Sequence, residues 1–441
     1  MYVKSIDNIK AVASSELCNR CGSCVGLSRG KIIFNDKEGK YLPKIIGEIS
    51  ESEANRIWTA CSGYDFDFKK YNANIYKDAK HFHTCIGSYN NLFIGHTTND
   101  EIRRNSASGG ILSAMLIFML ENGLIDGVIT LSMSKEKPWL TSPIIAQTKE
   151  EIIEAAQSKY IISSVNEIFP DLENFSGTLA YVGIPPQIQS IRKLQHINDP
   201  IVKNIKYLFG PFYGNTLFFS SVKSFLKTHG VTDYTQITKL YFRYGEWPGS
   251  MRVELSNGRV LELKKFYANY LIPFHILTNS LYCTDFTNEF TDISCGDAWA
   301  PKYENKGKGY SIIISRTIQG QRILDTMKNQ GLLKINPIDE KSAIKMHTHG
   351  YDFKKRGAFI RIKLRKLLGK NIPEYGYNIV GISISRYAME IIISSIFIIF
   401  STRLARYLVE KLPPVFVGKF FERFRIIWKN STQLIKKQIS L

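Results

Sequence analysis

Three closely spaced cysteines near the N-terminus constrain this chain more than any other feature. Cys18, Cys21 and Cys24 recur at three-residue intervals in the segment Cys-Asn-Arg-Cys-Gly-Ser-Cys, and Gly22 lets the backbone turn sharply between them. A loop of this kind is typical of the ligands of a [4Fe-4S] cluster. Zinc sites usually combine two CxxC pairs, and no second pair is present, so zinc is the weaker alternative and purely structural thiols are a third.

A fourth cluster ligand must come from elsewhere in the chain. In bacterial ferredoxins a fourth cysteine follows closely and precedes a proline, whereas residues 25–29 are Val-Gly-Leu-Ser-Arg here. The best candidate lies in the turn-forming sequence Ala-Cys-Ser-Gly within the same N-terminal segment. We therefore predict that one cluster is held by four thiolates: Cys18, Cys21, Cys24 and Cys61.

The positive charge of the chain is concentrated at its C-terminal end. The net charge is +19, and residues 341–441 contribute 20 lysines and arginines against 5 aspartates and glutamates. This asymmetry favours an acidic partner for the tail, such as anionic lipid, an acidic electron carrier or nucleic acid, although a solvated basic face gives the same pattern. Nucleic acid is the weakest alternative, because no finger motif is present and the aromatic and basic residues recur at helical spacing.

The N-terminal sequence predicts a cytoplasmic protein. The first 17 residues contain no apolar core of a secretory signal, and seven irregularly spaced cysteines do not resemble an extracellular disulfide framework. The most apolar run, residues 391–400, is about half the length needed to cross a bilayer. We expect it to lie in a core or peripherally on the inner face of the membrane.

Secondary-structure patterns predict an α+β or α/β fold in four regions. These regions are a small ferredoxin-like cysteine module (residues 1–90), an α/β region (91–235), a mixed-strand region (236–380) and a basic tail of two amphipathic helices broken at Pro413-Pro414 (381–441). In the α/β region, a helical pattern over Ile111–Glu121 alternates with strand-like runs at residues 127–131 and 179–183. Such alternation predicts a mainly parallel sheet.

Two turns that precede predicted helices have the composition of phosphate-binding sites. Residues 103–110 (Arg-Arg-Asn-Ser-Ala-Ser-Gly-Gly) bring hydroxyls, glycines and arginines to a helix N-terminus, and residues 183–185 join a strand to a helix. Taken alone, an ordinary helix cap explains the first turn better than a phosphate site does and explains the second equally well. A one-electron cluster beside an α/β domain, however, commonly works with a flavin. The predicted flavin contacts are Arg104, Ser106, Ser108, Gly109, Gly110, Gly183 and Pro185.

These motifs follow the order and spacing of a known family. The sequence resembles the beta subunits of coenzyme F420 hydrogenases and dehydrogenases and their relatives encoded near polysaccharide genes. The matching segments are residues 17–24, 61–63, 106–110, 124–128, 182–194, 242–253 and 285–298. The resemblance implies a noncovalent FAD, one or two [4Fe-4S] clusters, and electron exchange between ferredoxin or coenzyme F420 and an organic acceptor. It also suggests that Asp297 lies near the flavin.

The sequence departs from that family at three cysteine positions. Pro186 and Tyr213 stand where relatives commonly carry cysteine, and Cys283 has Ser280 in place of a CxxC partner. These replacements count against a second cluster and suggest a different acceptor.

The sequence thus predicts an oxidoreductase dependent on FAD and an iron-sulfur cluster. The alternative is a non-catalytic accessory or docking subunit in envelope polysaccharide biosynthesis, which the replaced cysteines favour and the retained ligands and Ser-Gly-Gly turn oppose. A homo-oligomer or a partner subunit is compatible with both. No catalytic acid or base is identified, since His347 and His349 lie in a polar stretch and are expected at the surface.

Overall fold

Short helices and two small antiparallel strand pairs form the N-terminal part of the protein. A computed structural model describes residues 6–432. The first elements are α1 (Ile6–Ser14), α2 (Ser23–Leu27), β1 (Ile32–Phe34), β2 (Pro43–Ile45), α3 (Glu51–Ala60), α4 (Phe68–Ile75), β3 (His81–His83) and β4 (Gly87–Tyr89). A capping box of Ser50 and Glu53 starts α3, which leads directly to Cys61.

Strands and helices alternate in the central part, as the sequence predicts. The elements are β5 (Asn91–Thr97), α5 (Asp100–Arg104), α6 (Ile111–Glu121), β6 (Gly127–Met133), β7 (Thr141–Ala146), α7 (Lys149–Glu154), α8 (Phe169–Leu172), β8 (Leu179–Val182), α9 (Pro185–His196), β9 (Ile205–Pro211) and α10 (Ser220–Thr228). The predicted helix at Ile111–Glu121 and the strands at residues 127–131 and 179–183 are confirmed.

The next part adds a three-stranded sheet and several helices. Its elements are β10 (Ile237–Tyr244), β11 (Ser250–Leu255), β12 (Val260–Lys264), α11 (Lys265–Ala268), α12 (Leu271–His275), α13 (Thr278–Tyr282), β13 (Ile293–Asp297), α14 (Pro301–Glu304), β14 (Ser311–Ser315), α15 (Ile318–Asn329), β15 (Leu333–Pro337), α16 (Glu340–Met346), α17 (Thr348–Asp352) and α18 (Ala358–Leu367). Three 3₁₀ helices (Val165–Ile168, Pro200–Val202, Tyr234–Gln236) and one π-helix (Phe353–Gly357) complete this body.

One eight-stranded sheet organises the molecule, in the order β15-β5-β14-β13-β9-β8-β6-β7. Its centre, from β13 to β6, is parallel, and the strand pairs on both flanks are antiparallel. The expectation of a mainly parallel sheet is therefore confirmed only at the centre. Because β13 to β15 join strands from the central part, the sheet crosses the boundary predicted at residue 235. Strands β5, β6, β8, β9 and β13 end at the same edge.

Helices cover both faces of this sheet. Helices α6 and α15 pack on one face through apolar side chains such as Met115 and Leu324, and α9 packs with the N-terminal helices on the other through Ile188 and Ile57. A third core joins the β10–β12 sheet to α10 and α12. Burial of apolar surface in these layers is the main stabilising contribution to the fold.

The C-terminal tail contains three helices where two were expected. They are α19 (Ile384–Phe400), α20 (Arg403–Glu410) and α21 (Pro414–Ser431). The additional break occurs at Thr402, whose hydroxyl accepts a hydrogen bond from the Ala405 N–H and starts a new helix. Among residues 6–432 no single helix is long and apolar enough to cross a membrane, although α19 and α20, bent by 71°, meet that criterion when taken together. Residues 433–441 of the predicted tail lie outside the described residues.

Candidate functional site

The fold brings the four N-terminal cysteines together. Each of the six pairs among Cys18, Cys21, Cys24 and Cys61 interacts electrostatically, and each side chain is partly buried. Burial raises the pKa of Cys21, raises that of Cys24 well above its usual value, and raises that of Cys61 to about 12. These thiols would therefore need a cation to remain deprotonated.

The four thiols do not converge on one point. Among residues 6–432, no group of three or more His, Cys, Asp or Glu side chains is placed so that it could hold a metal ion. Four thiolates around a single zinc lie about 4 Å apart, given a Zn–S distance of about 2.3 Å. Ligands of a four-iron cluster lie further apart, because the irons and sulfides stand between them. Within residues 6–432, the four thiols therefore interact with one another without forming a site for a single metal ion.

Glycine allows two close approaches of the backbone around these thiols. Gly22 has φ = 94°, and a Cβ there would lie 2.7 Å from the Glu167 backbone nitrogen. A Cβ at Gly63 would lie 2.8 Å from the Leu17 carbonyl oxygen. The hydroxyl of Ser23 lies 3.2 Å from the Cys21 sulfur, close enough to donate to it. The loop geometry predicted from Gly22 is thus present.

Helix α9 joins the cysteine module to the central sheet. The Pro186 carbonyl accepts a hydrogen bond from Ser62 (2.6 Å), and the Ser190 and Ser23 hydroxyls are 2.5 Å apart. Lys193 donates to the carbonyl of Cys61 at 2.7 Å. Since consecutive turns of one helix hold the loops at Ser23 and at Cys61, α9 fixes both cysteine segments relative to the sheet.

The other three cysteines are buried in separate surroundings. Cys85 and Cys283 lie close to charged groups, Lys355 and Lys354 respectively, and burial alone raises the pKa of Cys295. Ser280 stands where a CxxC partner of Cys283 would be. Its hydroxyl and that of Tyr213 share a hydrogen bond, with the two oxygens 2.7 Å apart.

A cavity of about 660 Å³ lies at the edge where the five strands end together. Ser108, Gly183, Tyr213 and Asp297, each in a segment that follows or ends one of these strands, line it. In α/β sheets this edge is the usual ligand position, and the volume is that of a small-molecule or cofactor site.

The structure brings only part of the predicted flavin contacts to this cavity. Ser106, Ser108, Gly110 and Gly183 line it, whereas Gly109 packs against strand β5 and the side of β14. Pro185 is buried in the first turn of α9. Arg104 points elsewhere, with an exposed side chain whose Nε lies 3.4 Å from a carboxylate oxygen of Glu246.

A group of polar side chains from distant segments lies on the cavity wall. Arg243 is almost fully buried and donates to Asp297 (3.3 Å), to Tyr160 Oη (3.1 Å) and to the Ala107 carbonyl oxygen (2.5 Å). Burial by itself would raise the pKa of Asp297. The positive charges of Arg243 and Lys265 outweigh that effect, so the pKa lies below its usual value. Burial likewise opposes ionisation of Tyr160, and the same two cations bring its pKa below the usual value. The pKa of Lys159, lowered by burial to about 7, leaves this cavity lysine partly charged near neutral pH.

His347 is not a surface residue, so the expectation from the sequence was wrong. It lines the cavity, and its Nε2 donates to the Asp297 carbonyl oxygen at 2.6 Å. Burial lowers its pKa to about 4, which keeps the imidazole neutral. The polar sequence around it reflects the neighbouring residues that face solvent. His349 is also partly buried.

Family comparisons agree with this architecture. Two family models match: the N-terminal region of the coenzyme F420 hydrogenase/dehydrogenase beta subunit over residues 92–169, and its C-terminal region over residues 177–341. The chain belongs to this beta subunit family. The two matched ranges cover more than half of the chain, and they contain the sheet and most of the cavity wall. The cysteine triplet and the three tail helices lie outside them.

Individual relatives are about a quarter identical to this chain over the aligned residues. The coenzyme F420-dependent sulfite reductase of Methanocaldococcus jannaschii is 26% identical over 77% of this chain, which spans 50% of that protein's length. The coenzyme F420 hydrogenase subunit beta of Methanosarcina barkeri is 26% identical over 58% of this chain and 84% of that subunit. A chain of the F420-reducing [NiFe] hydrogenase complex from the same organism superposes with a TM-score of 0.53 at 22% identity, over 67% of this chain and 99% of that one. This last likeness concerns the fold alone.

Proposed function

We propose that this protein is an iron-sulfur flavoprotein oxidoreductase that passes electrons between ferredoxin or reduced coenzyme F420 and an organic acceptor. Helix α9 carries the proposal, because Gln187 at its start lines the cavity while Ser190 and Lys193 contact the cysteine loops. Two cofactors held by one helix keep a fixed separation, as electron transfer between them needs. The relatives named as F420 hydrogenase, F420H₂ dehydrogenase and F420-dependent sulfite reductase support the same reaction class.

The cysteine module would hold the cluster, which supplies one-electron transfer. The proposed ligands are Cys18, Cys21, Cys24 and Cys61. Their partial accessibility and mutual interaction fit soft thiolate ligation to iron. Burial raises the pKa of Cys61, and the positive charge of Lys193 opposes part of that rise. The charge of Lys193 therefore favours the thiolate.

The cavity would hold FAD, which supplies conversion between one-electron and hydride chemistry. The proposed contacts are Ser106, Ser108, Gly110 and Gly183. Among the described residues that line the cavity, Asp297 carries the only carboxylate, and it lies close to the two cations Arg243 and Lys265. A surplus of cations suits the diphosphate of FAD or an anionic substrate.

Tyr160 is the proposed proton donor to the organic acceptor. Its Oη accepts a hydrogen bond from Arg243, which leaves its own proton available for donation. The lowered pKa makes this proton easier to release than that of an ordinary tyrosine.

The test is purification without oxygen, followed by iron, sulfide and flavin analysis of one sample. We expect about four irons and about one flavin per chain. Reduction of the oxidised protein should then be followed with reduced coenzyme F420 and reduced ferredoxin as separate electron donors, and at least one of them should reduce it. Zinc alone, or neither metal nor flavin after reconstitution, would contradict the proposal and leave the accessory docking subunit.

A further inference from the structure

The exposed apolar surface of this protein is concentrated in its tail. Of 26 large apolar side chains that are exposed among the described residues, 15 lie between residues 384 and 427. The most exposed include Ile384, Ile398, Leu404, Phe416, Phe420 and Ile427. Single exposed apolar residues are common on soluble proteins, but a dense patch marks a contact with another phase or molecule.

The same helices carry a surplus of positive charge. Exposed cations accompany the apolar residues, namely Arg403, Lys411, Lys419, Arg423, Arg425 and Lys429. Two of the three acidic residues in these helices are paired with cations: Glu390 is fully buried between Arg361 and Arg386, and Glu410 pairs with Lys227 at 3.1 Å. Apolar side chains bordered by lysine and arginine fit the interface of an anionic bilayer, whereas the centres of protein interfaces are depleted in lysine.

The inner sides of these helices are already occupied by the protein. Arg386 on α19 forms a buried ion pair with Asp352, and Arg406 on α20 donates to the Phe274 carbonyl oxygen at 2.8 Å. On α21, Phe421 packs within 5.8 Å of the Phe274 ring. The helices are therefore fixed with their apolar outer sides directed away from the core.

We propose that α19, α20 and α21 form a docking surface for a bilayer that contains anionic lipid. Helix α19, the most apolar, is about 25 Å long and bends by 71° into α20, so the helices suit a position in the headgroup region. Arg425 of α21 also lines the cavity, and Gly418 packs against Tyr267 beside it. Docking would thus bring the bilayer against one wall of the cavity. The proposal is independent of the redox function.

The test is co-sedimentation of the anaerobically purified full-length protein with vesicles. We expect binding to phosphatidylcholine vesicles that contain phosphatidylglycerol, weaker binding at high salt, and little binding to phosphatidylcholine alone. Replacing the three tail cations Lys411, Lys419 and Arg423 with glutamine should weaken binding roughly a hundredfold. The matched control replaces Lys135, Lys203 and Lys206 with glutamine and should bind as the wild type does.

A second variant tests the apolar contribution. Phe416→Gln combined with Phe420→Gln should lose most vesicle binding, while Phe82→Gln, an exposed residue of the cysteine module, should not. Circular dichroism and iron content should match the wild type in each variant. Equal binding by tail and control variants, or no binding by the wild type, overturns the proposal. So does a lipid-free dimer that the phenylalanine substitutions dissociate, because the surface would then be a contact between two copies of this chain.

Discussion

The cysteine module and the tail direct opposite kinds of side chain toward their surroundings. The module encloses four thiols within the protein, whereas the tail presents apolar side chains to solvent. A buried ionisable group needs a partner inside the protein, and an exposed apolar surface needs one outside it. The two ends of this chain are therefore suited to different kinds of partner, one inside the protein and one outside it.

The two regions are also attached by different interactions. The module is held by hydrogen bonds, such as that from Asn279 to the Leu17 carbonyl oxygen at 2.6 Å, and by partly exposed ion pairs, such as that of Arg56 with Asp199 at 2.7 Å. The tail is held by a buried ion network in which Arg386 contacts Asp352 (2.9 Å) and Glu390 (2.7 Å). Removing one charge from such a network leaves another buried and unpaired, which costs more than the loss of a single hydrogen bond.

The largest expected effect is the loss of iron and sulfide from the cysteine module. Cys61→Ser should abolish most of the iron and sulfide content, because serine is a poor ligand for iron in this type of site. Metal analysis after anaerobic reconstitution measures the loss. Cys295→Ser is the control. This cysteine is buried, and burial is the sole cause of its raised pKa, so the variant should retain the iron. A full iron content in Cys61→Ser would mean that another residue is the fourth ligand.

The attachment of the tail should depend on Arg386. We expect Arg386→Met to lower the free energy of unfolding by about 3–5 kcal/mol, because Asp352 and Glu390 then remain buried without this partner. Denaturant titration of the anaerobic protein measures it. Lys10→Met removes an exposed pair with Asp7 and should cost less than about 1 kcal/mol. Similar losses in both variants would mean that the network does not anchor the tail.

Tyr160 lines the cavity, and its role should appear in turnover alone. We expect Tyr160→Phe to lower kcat for reduction of the organic acceptor about a hundredfold, with flavin and iron content unchanged. Tyr234→Phe, outside the cavity, serves as the control. An unchanged kcat across the pH range would remove Tyr160 as the proton donor.

The contact between body and tail should weaken in acid through His275. Burial, and then Arg406 and Lys227, lower its pKa from 6.5 to about 3. Below pH 6.5 the unfolded chain binds a proton that the folded protein excludes, so stability falls with falling pH by at most about 1.4 kcal/mol per unit. His275→Gln should reduce this slope in denaturant titrations at several pH values. Identical slopes for variant and wild type would contradict the assignment.

The smallest expected effect concerns the outer side of the tail. Phe416→Gln should change the free energy of unfolding by less than about 0.5 kcal/mol, since the side chain is 62% exposed. The fully buried Phe225 provides the contrast, and Phe225→Ala should cost about 3–5 kcal/mol. A loss of several kcal/mol in Phe416→Gln would show that this side of the tail supports the fold.

Local patterns predicted much of the secondary structure. Helix Ile111–Glu121 and the strands at β6 and β8 follow from apolar periodicity, which depends only on neighbouring residues. The number of tail helices was missed because Ser401-Thr402, where the new helix begins, looks like any other pair of polar residues in the sequence. The flanking antiparallel strands were missed because strand direction depends on how distant segments meet.

The cavity wall shows the same limit. Arg243, Asp297 and Tyr160 come from three distant segments and carry no shared motif, so sequence reasoning found only Asp297, through the family resemblance. Arg104 fits a phosphate site by composition, but its side chain points to Glu246 instead. Composition specifies what a side chain could bind, whereas its direction depends on the packed backbone.

The sequence by itself determined the cysteine spacing, the apolar periods and the accumulation of positive charge in the last hundred residues. These are properties of neighbouring residues, and they persist in any fold. Only the tertiary structure decided that Cys61 meets the triplet, that α9 connects it to the cavity, and that the tail turns its apolar side outward. Those outcomes depend on contacts between residues far apart in the chain, whose free energies exist only once the layers have packed together.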